Sequence, residues 1–252
     1  MKVGPALLIR LILAALLLAL VLWPEGFASL LRTVNRPEAP PLYPHDSLLS
    51  LSLSHLWLVF VATAAGAVTA VAAALYVTRS SGAEFLPLSR AIANIGQTFP
   101  PVAVLALAVP AVGFGVAPTL IALFLYGLLP IFENSVAGLK QVPATVLEAA
   151  DGMGMTPLQR LLKVELPLAL PLMLEGVKIA TVINIGTATI GSTVAAKGLG
   201  EVIIAGLLSD NTAFILHGGV IVGLMAVLLY DLMGLAERAI RARFGLPVTA
   251  LE

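Results

Sequence analysis

Glu148–Pro171 reads EAADGMGMTPLQRLLKVELPLALP. It is a polar, glycine-jointed, proline-bounded island in a chain of 252 residues that is 59% hydrophobic and 11% charged. With the PATVL that precedes it, the first half predicts a short helix stopping at Gly152 and Gly154, because glycine readily leaves helical dihedrals. A second helix restarts at Thr156, a good N-cap, with Pro157 suited to the first helical position and Gln159 completing a capping box. Leu158, Leu161 and Leu162 fall on one face of that helix, and Gln159, Arg160 and Lys163 are its polar members. Leu166-Pro167 is expected to end it. Two short helices with a glycine joint, lying parallel to the membrane, suit a docking knob for a partner or an amphipathic loop resting on lipid headgroups.

Outward from the island the chain is apolar in runs far longer than a soluble core needs. Crossing a bilayer takes roughly 20 mostly apolar residues. Spans are expected at about Pro5–Trp23, His55–Thr78, Leu88–Val112, Val116–Gly138, Leu168–Ile190 and Ala213–Ala236. The fold class is therefore an all-α integral membrane protein of about six transmembrane helices, since helices satisfy their own backbone in lipid. No alternating ten-residue pattern of a β-barrel is present. The first segment has a basic start like that of a signal peptide, but no clear A-x-A site follows, so it is expected to be retained as a span.

Six spans put Lys2, Arg10, Arg79, Arg90, Lys140, Arg160, Lys163, Arg238, Arg241 and Arg243 on one side. Arg32, Arg36 and Lys197 fall on the other. Ten against three orients both termini toward the cytoplasm. The stretch RPEAPPLYPHDS (Arg36–Ser47) is then an external loop. One membrane core is expected at residues 55–238, preceded by a first span and external loop at 1–54 and followed by a cytoplasmic tail at 239–252.

Composition also excludes. Net charge is zero with no basic block, which argues against nucleic acid. There is no cysteine, so neither disulfides nor thiolate metal sites arise. His45, His55 and His217 are scattered without metal-ligand spacing. H-E-x-x-H, G-x-S-x-G and P-loop patterns are lacking, so no catalytic residue, cofactor or metal is expected, and any ATP binding must come from a partner.

Within the spans, Ala62, Gly66, Ala70 and Ala74 recur every fourth residue and predict close helix packing. Pro100, Pro101 and Pro110 are expected to kink the third span, and Pro118 and Pro130 the fourth. Asn94, Gln97 and Thr98 lie in NIGQTFPP, and Asn184, Thr187 and Thr189 toward the outer end of the fifth span. Such groups line a hydrated route or serve as interhelical hydrogen-bond glue. Glu175 and Lys178, three apart in the fifth span, are placed to pair, and charge at that depth is a gate or simply a buried ion pair.

Glu148-Ala149-Ala150, three residues, Gly154, nine residues, Val164, one residue, Leu166-Pro167 resembles the EAA loop of permease subunits of bacterial ABC importers. NIGQTFPP, IALFLYGLLPIFENSVAGLK and INIGTATIG…KGLGEVIIAGL extend the resemblance, over about Leu53 to Arg238, to the osmoprotectant branch. That branch imports glycine betaine, choline, carnitine or proline. The resemblance implies a type I ABC importer permease fold with a cytoplasmic coupling helix. It implies that Glu148, Ala149, Ala150 and Gly154 shape the joint, and that Thr156, Leu158 and Arg160 belong to the helix meeting an ATPase subunit. It further implies an ATP-binding subunit pair, an extracytoplasmic substrate-binding protein and a second permease subunit, identical or paralogous. Gly191–Asn211 resembles the external re-entrant segment of the outer gate. Two departures stand out: Lys197 before GLG and Glu175, both where a small residue is usual. The alternatives are the same architecture carrying methionine, a phosphonate or a sulfonate, a membrane enzyme, or a non-transporting membrane scaffold.

Overall fold

The computed structural model describes residues 5–244, and all regular structure among the described residues is helical. Helix α1 (Pro5–Leu22) leaves Leu7, Leu8, Ile9, Leu11 and Ile12 exposed, the surface that a lipid-facing helix presents. A turn, the short α2 (Ala28–Thr33) and an irregular strap at 34–47 lead to α3 (Leu48–Val77). This helix starts seven residues before the expected His55, because Ser47 caps it: the Ser50 N–H donates to Ser47 Oγ at 3.1 Å.

The expected third span is two helices, α4 (Leu86–Thr98) and α5 (Pro101–Val112), bent by 98° at their junction. A simple proline kink was the expectation. The doubled proline does more, because Pro100 and Pro101 force both Phe99 and Pro100 into extended backbone (ψ 138 and 140) before Pro101 begins a new helix. The carbonyl of Phe99 accepts a hydrogen bond from the Tyr126 hydroxyl, and Tyr126 O accepts from Gln97 Nε2 at 3.3 Å. The α4 side of the break is thereby tied to α6 (Val116–Lys140). Ala93 and Gly96 form the buried side of α4, and a Cβ at Gly96 would overlap the Leu125 carbonyl.

After α7 (Ala144–Gly152) and α8 (Pro157–Arg160), the chain passes through a π-helical turn at Leu161–Glu165 into α9 (Leu166–Ala188). Leu166-Pro167 therefore does not end the second short helix, as its sequence suggested. Pro157–Val194 is one continuous helical run of 38 residues. The wide turn just before Pro167 absorbs the carbonyl clash and missing donor that proline brings to a regular helix. A 3₁₀ turn (Thr189–Val194), α10 (Gly200–Ser209) and α11 (Thr212–Arg243) complete the chain. Ala239–Arg243, assigned by sequence to a tail, continue α11. Lys2 and the rest of that tail, 245–252, lie outside the described residues.

Among the described residues five runs are long and apolar enough to cross a membrane, or six if α4 and α5 count as one broken span. Packing divides the chain into two compact units, the first formed by residues 1–62, 100–123 and 181–229, the second by 63–99, 124–180 and 230–252. In the first, Leu51, Leu58, Leu123, Ile185, Leu199 and Ile221 make the core. In the second, Ala70, Ala74, Val77, Ile131, Phe132 and Ala169 do so. The small-residue face of α3 is buried, with Ala62 in the first core and Gly66, Ala70 and Ala74 in the second unit.

Candidate functional site

The island at Glu148 folds as a helix, a left-handed joint and a second helix. Gly154 has φ +74, which L-residues with a side chain rarely adopt. Met155 N–H donates to Ala150 O (3.2 Å) and Gly154 N–H to Asp151 O (2.9 Å), the paired bonds of a Schellman motif. Gly154 is thus the residue just beyond the helix end, and Gly152, still helical, is not the joint. Ala150 is buried under it, while Glu148 and Ala149 face outward. The capping box forms in full: Gln159 N–H donates to Thr156 Oγ1, and Thr156 N–H to Gln159 Oε1 at 2.9 Å.

Around this joint Met153 (70% exposed), Leu158 (64%) and Leu162 (55%) stand free of the chain's own core, while Leu161 is half-buried. The polar face is built differently. Arg160 Nη1 donates to both oxygens of Asp151 (2.7 and 2.9 Å), and its Nε donates to Glu165 Oε1 at 3.0 Å. The other oxygen of Glu165 meets Arg79 Nη2 at 2.6 Å. Glu165 is buried, although both arginines remain partly exposed.

The polar residues of the spans separate into two settings. Asn94, Gln97 and Thr98 are exposed on α4, whose buried side is Ala93 and Gly96, although Gln97 still reaches α6 through Tyr126 O. Thr98 Oγ1 bonds back to Asn94 O at 2.9 Å. Asn184 is wholly buried, Thr187 is half-buried, and Thr189 donates to Gly186 O at 2.7 Å. Lys178 is buried against Glu175, which it pairs with, Glu237 at 3.4 Å and the Tyr230 ring at 4.6 Å. Glu237 also receives Arg241 at 2.8 Å, so the charge pair of α9 extends onto α11.

Lys197, grouped by sequence as a gate or buried charge, is not buried: its side chain is 48% exposed and pairs with Asp46 of the strap at 2.6 Å. It sits in the loop after Ala195, whose left-handed backbone (φ 64) turns the chain outward ahead of α10. The same strap is held again by Arg36 on Asp210, and by Asn35 Nδ2 on Asn211 Oδ1 at 3.0 Å. Lys197 holds the Asp46 carboxyl below the usual carboxylate range, helped by the Ser47 N–H.

Sequence reasoning missed Tyr126, Asp151, Glu165, Asp46 and the Arg90–Glu133 fork (Nη2–Oε2 2.8 Å). Their partners lie far apart in sequence; only Asp151–Arg160–Glu165, all within the quoted stretch, offered a local signal. His55 and His217 each bond a backbone carbonyl, of Ile185 at 2.9 Å and Leu20 at 3.1 Å. Among the described residues no group of three His, Asp or Glu side chains is placed to hold a metal.

Several apolar spans, one of them broken, joined by a polar, glycine-jointed corner, describe a multi-pass membrane protein. Residues 66–245 match the family described as "binding-protein-dependent transport system inner membrane component", and the chain belongs to that family. It is 39% identical over 222 residues to the osmoprotectant import permease protein OsmY of Salmonella typhimurium, covering 88% of this chain and 89% of that protein. To the choline transport system permease protein OpuBB of Bacillus subtilis it is 36% identical, over 76% and 87%. To the carnitine transport permease protein OpuCD of Listeria monocytogenes it is 38% identical, again over 76% and 87%. A solved structure of the MetNI methionine ABC transporter in inward-facing conformations superposes with TM-score 0.66 at 25% identity, over 75% of this chain and 93% of that one. The fold is that of a type I ABC importer permease.

Proposed function

We propose that this chain is the membrane-spanning subunit of an ATP-driven importer of an osmoprotectant: glycine betaine, choline, carnitine or proline. The observation that carries the reading is sequence identity of 36–39% to permeases named for osmoprotectants, choline and carnitine, over three quarters or more of the chain. The likeness to the methionine transporter is weaker in sequence and supports the fold rather than the cargo.

In this reading the α7–α8 corner faces the cytoplasm and couples to one of two ATPase subunits. Met153, Leu158 and Leu162 form its apolar contact, with Glu148, Ala149, Thr156 and Arg160 around them. An exposed apolar cluster of this kind marks a partner surface. A second permease subunit packs beside the first. Asn94, Gln97 and Thr98, exposed on α4, are read as pathway residues, and so, separately, are Asn184, Thr187 and Thr189 of the outer part of α9. A binding protein delivers the solute from the extracytoplasmic side.

The test is reconstitution with the cognate ATPase and binding protein. Hydrolysis should rise with glycine betaine or choline and not with methionine; stimulation by methionine alone would replace the cargo assignment. Gly154→Ala isolates the joint, because nothing lies within 4 Å of an added Cβ and only the left-handed backbone resists. That strain, about 1–2 kcal/mol, should weaken ATPase capture about tenfold. Undiminished capture would remove the corner from the interface.

A further inference from the structure

Glu165 stands one position before Leu166-Pro167, where the EAA resemblance specifies nothing, yet it is the most connected carboxylate of the corner. Its side chain is 6% exposed, and each oxygen takes a different arginine: Oε2 takes Arg79 at 2.6 Å, Oε1 takes Arg160 at 3.0 Å. Arg160 goes on to grip Asp151 through both of that residue's oxygens. Arg79 lies two residues past the end of α3, Asp151 in the last turn of α7, Arg160 in α8, and Glu165 at the mouth of α9. One carboxylate therefore ties four elements of the second unit. Two positive and two negative groups balance, which leaves no net charge to attract a free anion.

The π-helical turn makes this possible. On a helix of 3.6 residues per turn, positions 160 and 165 would point about 140° apart. The wider turn at Leu161–Glu165 brings residues five apart onto one side, and Arg160 reaches Glu165 across it. A wide turn is also where a long helix bends most readily. The bridge spans that weak point on one side and anchors it to α3 on the other.

We propose that Glu165 is a positioning residue that locks the α7–α8 corner to the ends of α3 and α9, so that a displacement of the corner reaches both spans as one rigid movement. This rests on the coupling role proposed above for the corner. Buried and doubly paired, the carboxylate resists separation from either arginine, because either one leaving would expose an uncompensated buried charge. Without it, push on the corner would be lost as bending at the π turn.

The chain has no cysteine, so two introduced ones report alone. Spin labels at S81C and T145C, both exposed positions outside the proposed ATPase contact, would be measured in the full permease in nanodiscs, alone and bound to the ATPase trapped with ATP. The expected result is one narrow distance, the same in both states. Glu165→Gln should broaden it and lower solute transported per ATP about fivefold or more, with the amount of assembled complex unchanged. If Glu165→Gln fails to insert, Arg79→Gln, which leaves the Arg160 bridge in place, should broaden the same distance.

A wild-type distance that changes with ATP overturns the proposal, as does a variant with a narrow distance and unchanged transport per ATP. A purely structural role would reduce assembly and lower transport and hydrolysis in proportion, leaving their ratio intact, and that outcome also overturns it. Failure of the wild type to bind the ATPase would instead sink the coupling role. The distance in the permease alone would still judge the lock.

Discussion

Replacing Gly176 by alanine tests how α9 is seated on α6. An added Cβ would stand 2.7 Å from Pro130 O, 2.9 Å from Asn134 Cβ and 3.0 Å from Ile131 Cα. Two of these are backbone atoms, and the Pro130 carbonyl is already held by Asn134 Nδ2 at 2.8 Å. No side-chain rotation relieves such contacts, so one helix must move off the other. Overpacking of this kind costs about 1–3 kcal/mol. Against it stands the gain of about 0.5–1 kcal/mol that glycine-to-alanine brings inside a helix. The net is a loss of about 1–2 kcal/mol, roughly a 5- to 30-fold fall in the folded-to-unfolded ratio. Gly186, in the same helix, has nothing within 4 Å of its added Cβ, and Gly186→Ala should be neutral or stabilising. The assay is SDS titration of the purified chain in mixed micelles, both variants beside wild type. Gly176→Ala as stable as Gly186→Ala would refute direct backbone seating of α9 on α6.

Two further tests bear on other parts of the chain. Thr156→Ala removes the Oγ1 acceptor of the capping box and should cost the second short helix about 1 kcal/mol. Hydrogen exchange at the Gln159 amide should quicken about fivefold, and an unchanged rate would mean that the cap does not hold the restart. The Asp46–Lys197 pair gives a pH test. The folded carboxyl titrates below its unfolded value of about 3.9. Its contribution is therefore fully present above that value and is lost as pH falls through the folded one. Lys197→Gln should melt below wild type at neutral pH, with the gap closing in acid; a gap that persists well below pH ~4 would mean that the lysine acts other than through Asp46.

What was legible in the sequence was whatever short range decides. The five longest spans follow from apolar run length, and Thr156, Gln159 and Gly154 follow from capping chemistry, because each of those bonds closes within five residues. The third span reads as kinked at its prolines, but not as two helices bent by 98°. Hydropathy sums across Phe99 and Pro100 as though the backbone continued, whereas two consecutive prolines fix extended dihedrals whatever the apolar content around them. Pro167 erred the other way: one proline reads as a stop, yet a π-helical turn just before it lets the helix run through.

The charged partners were the least legible part. Glu165 reads as one acid in a polar helix, and Arg79, eighty-six positions earlier, as one cation ending a span. Only the fold makes them a bonded pair. The span polars show the complementary limit. Asn94 and Gln97 read as lining a hydrated route or as interhelical hydrogen-bond glue; Gln97 bonds Tyr126 O of α6, while Ala93 and Gly96 take the buried side of α4. Close approach to the Leu125 backbone demands that Gly96 carry no side chain, and it fixes which side of α4 is buried before any polar residue is placed. Sequence shows that a span carries polar residues; which of its sides is buried is decided by where two backbones come closest.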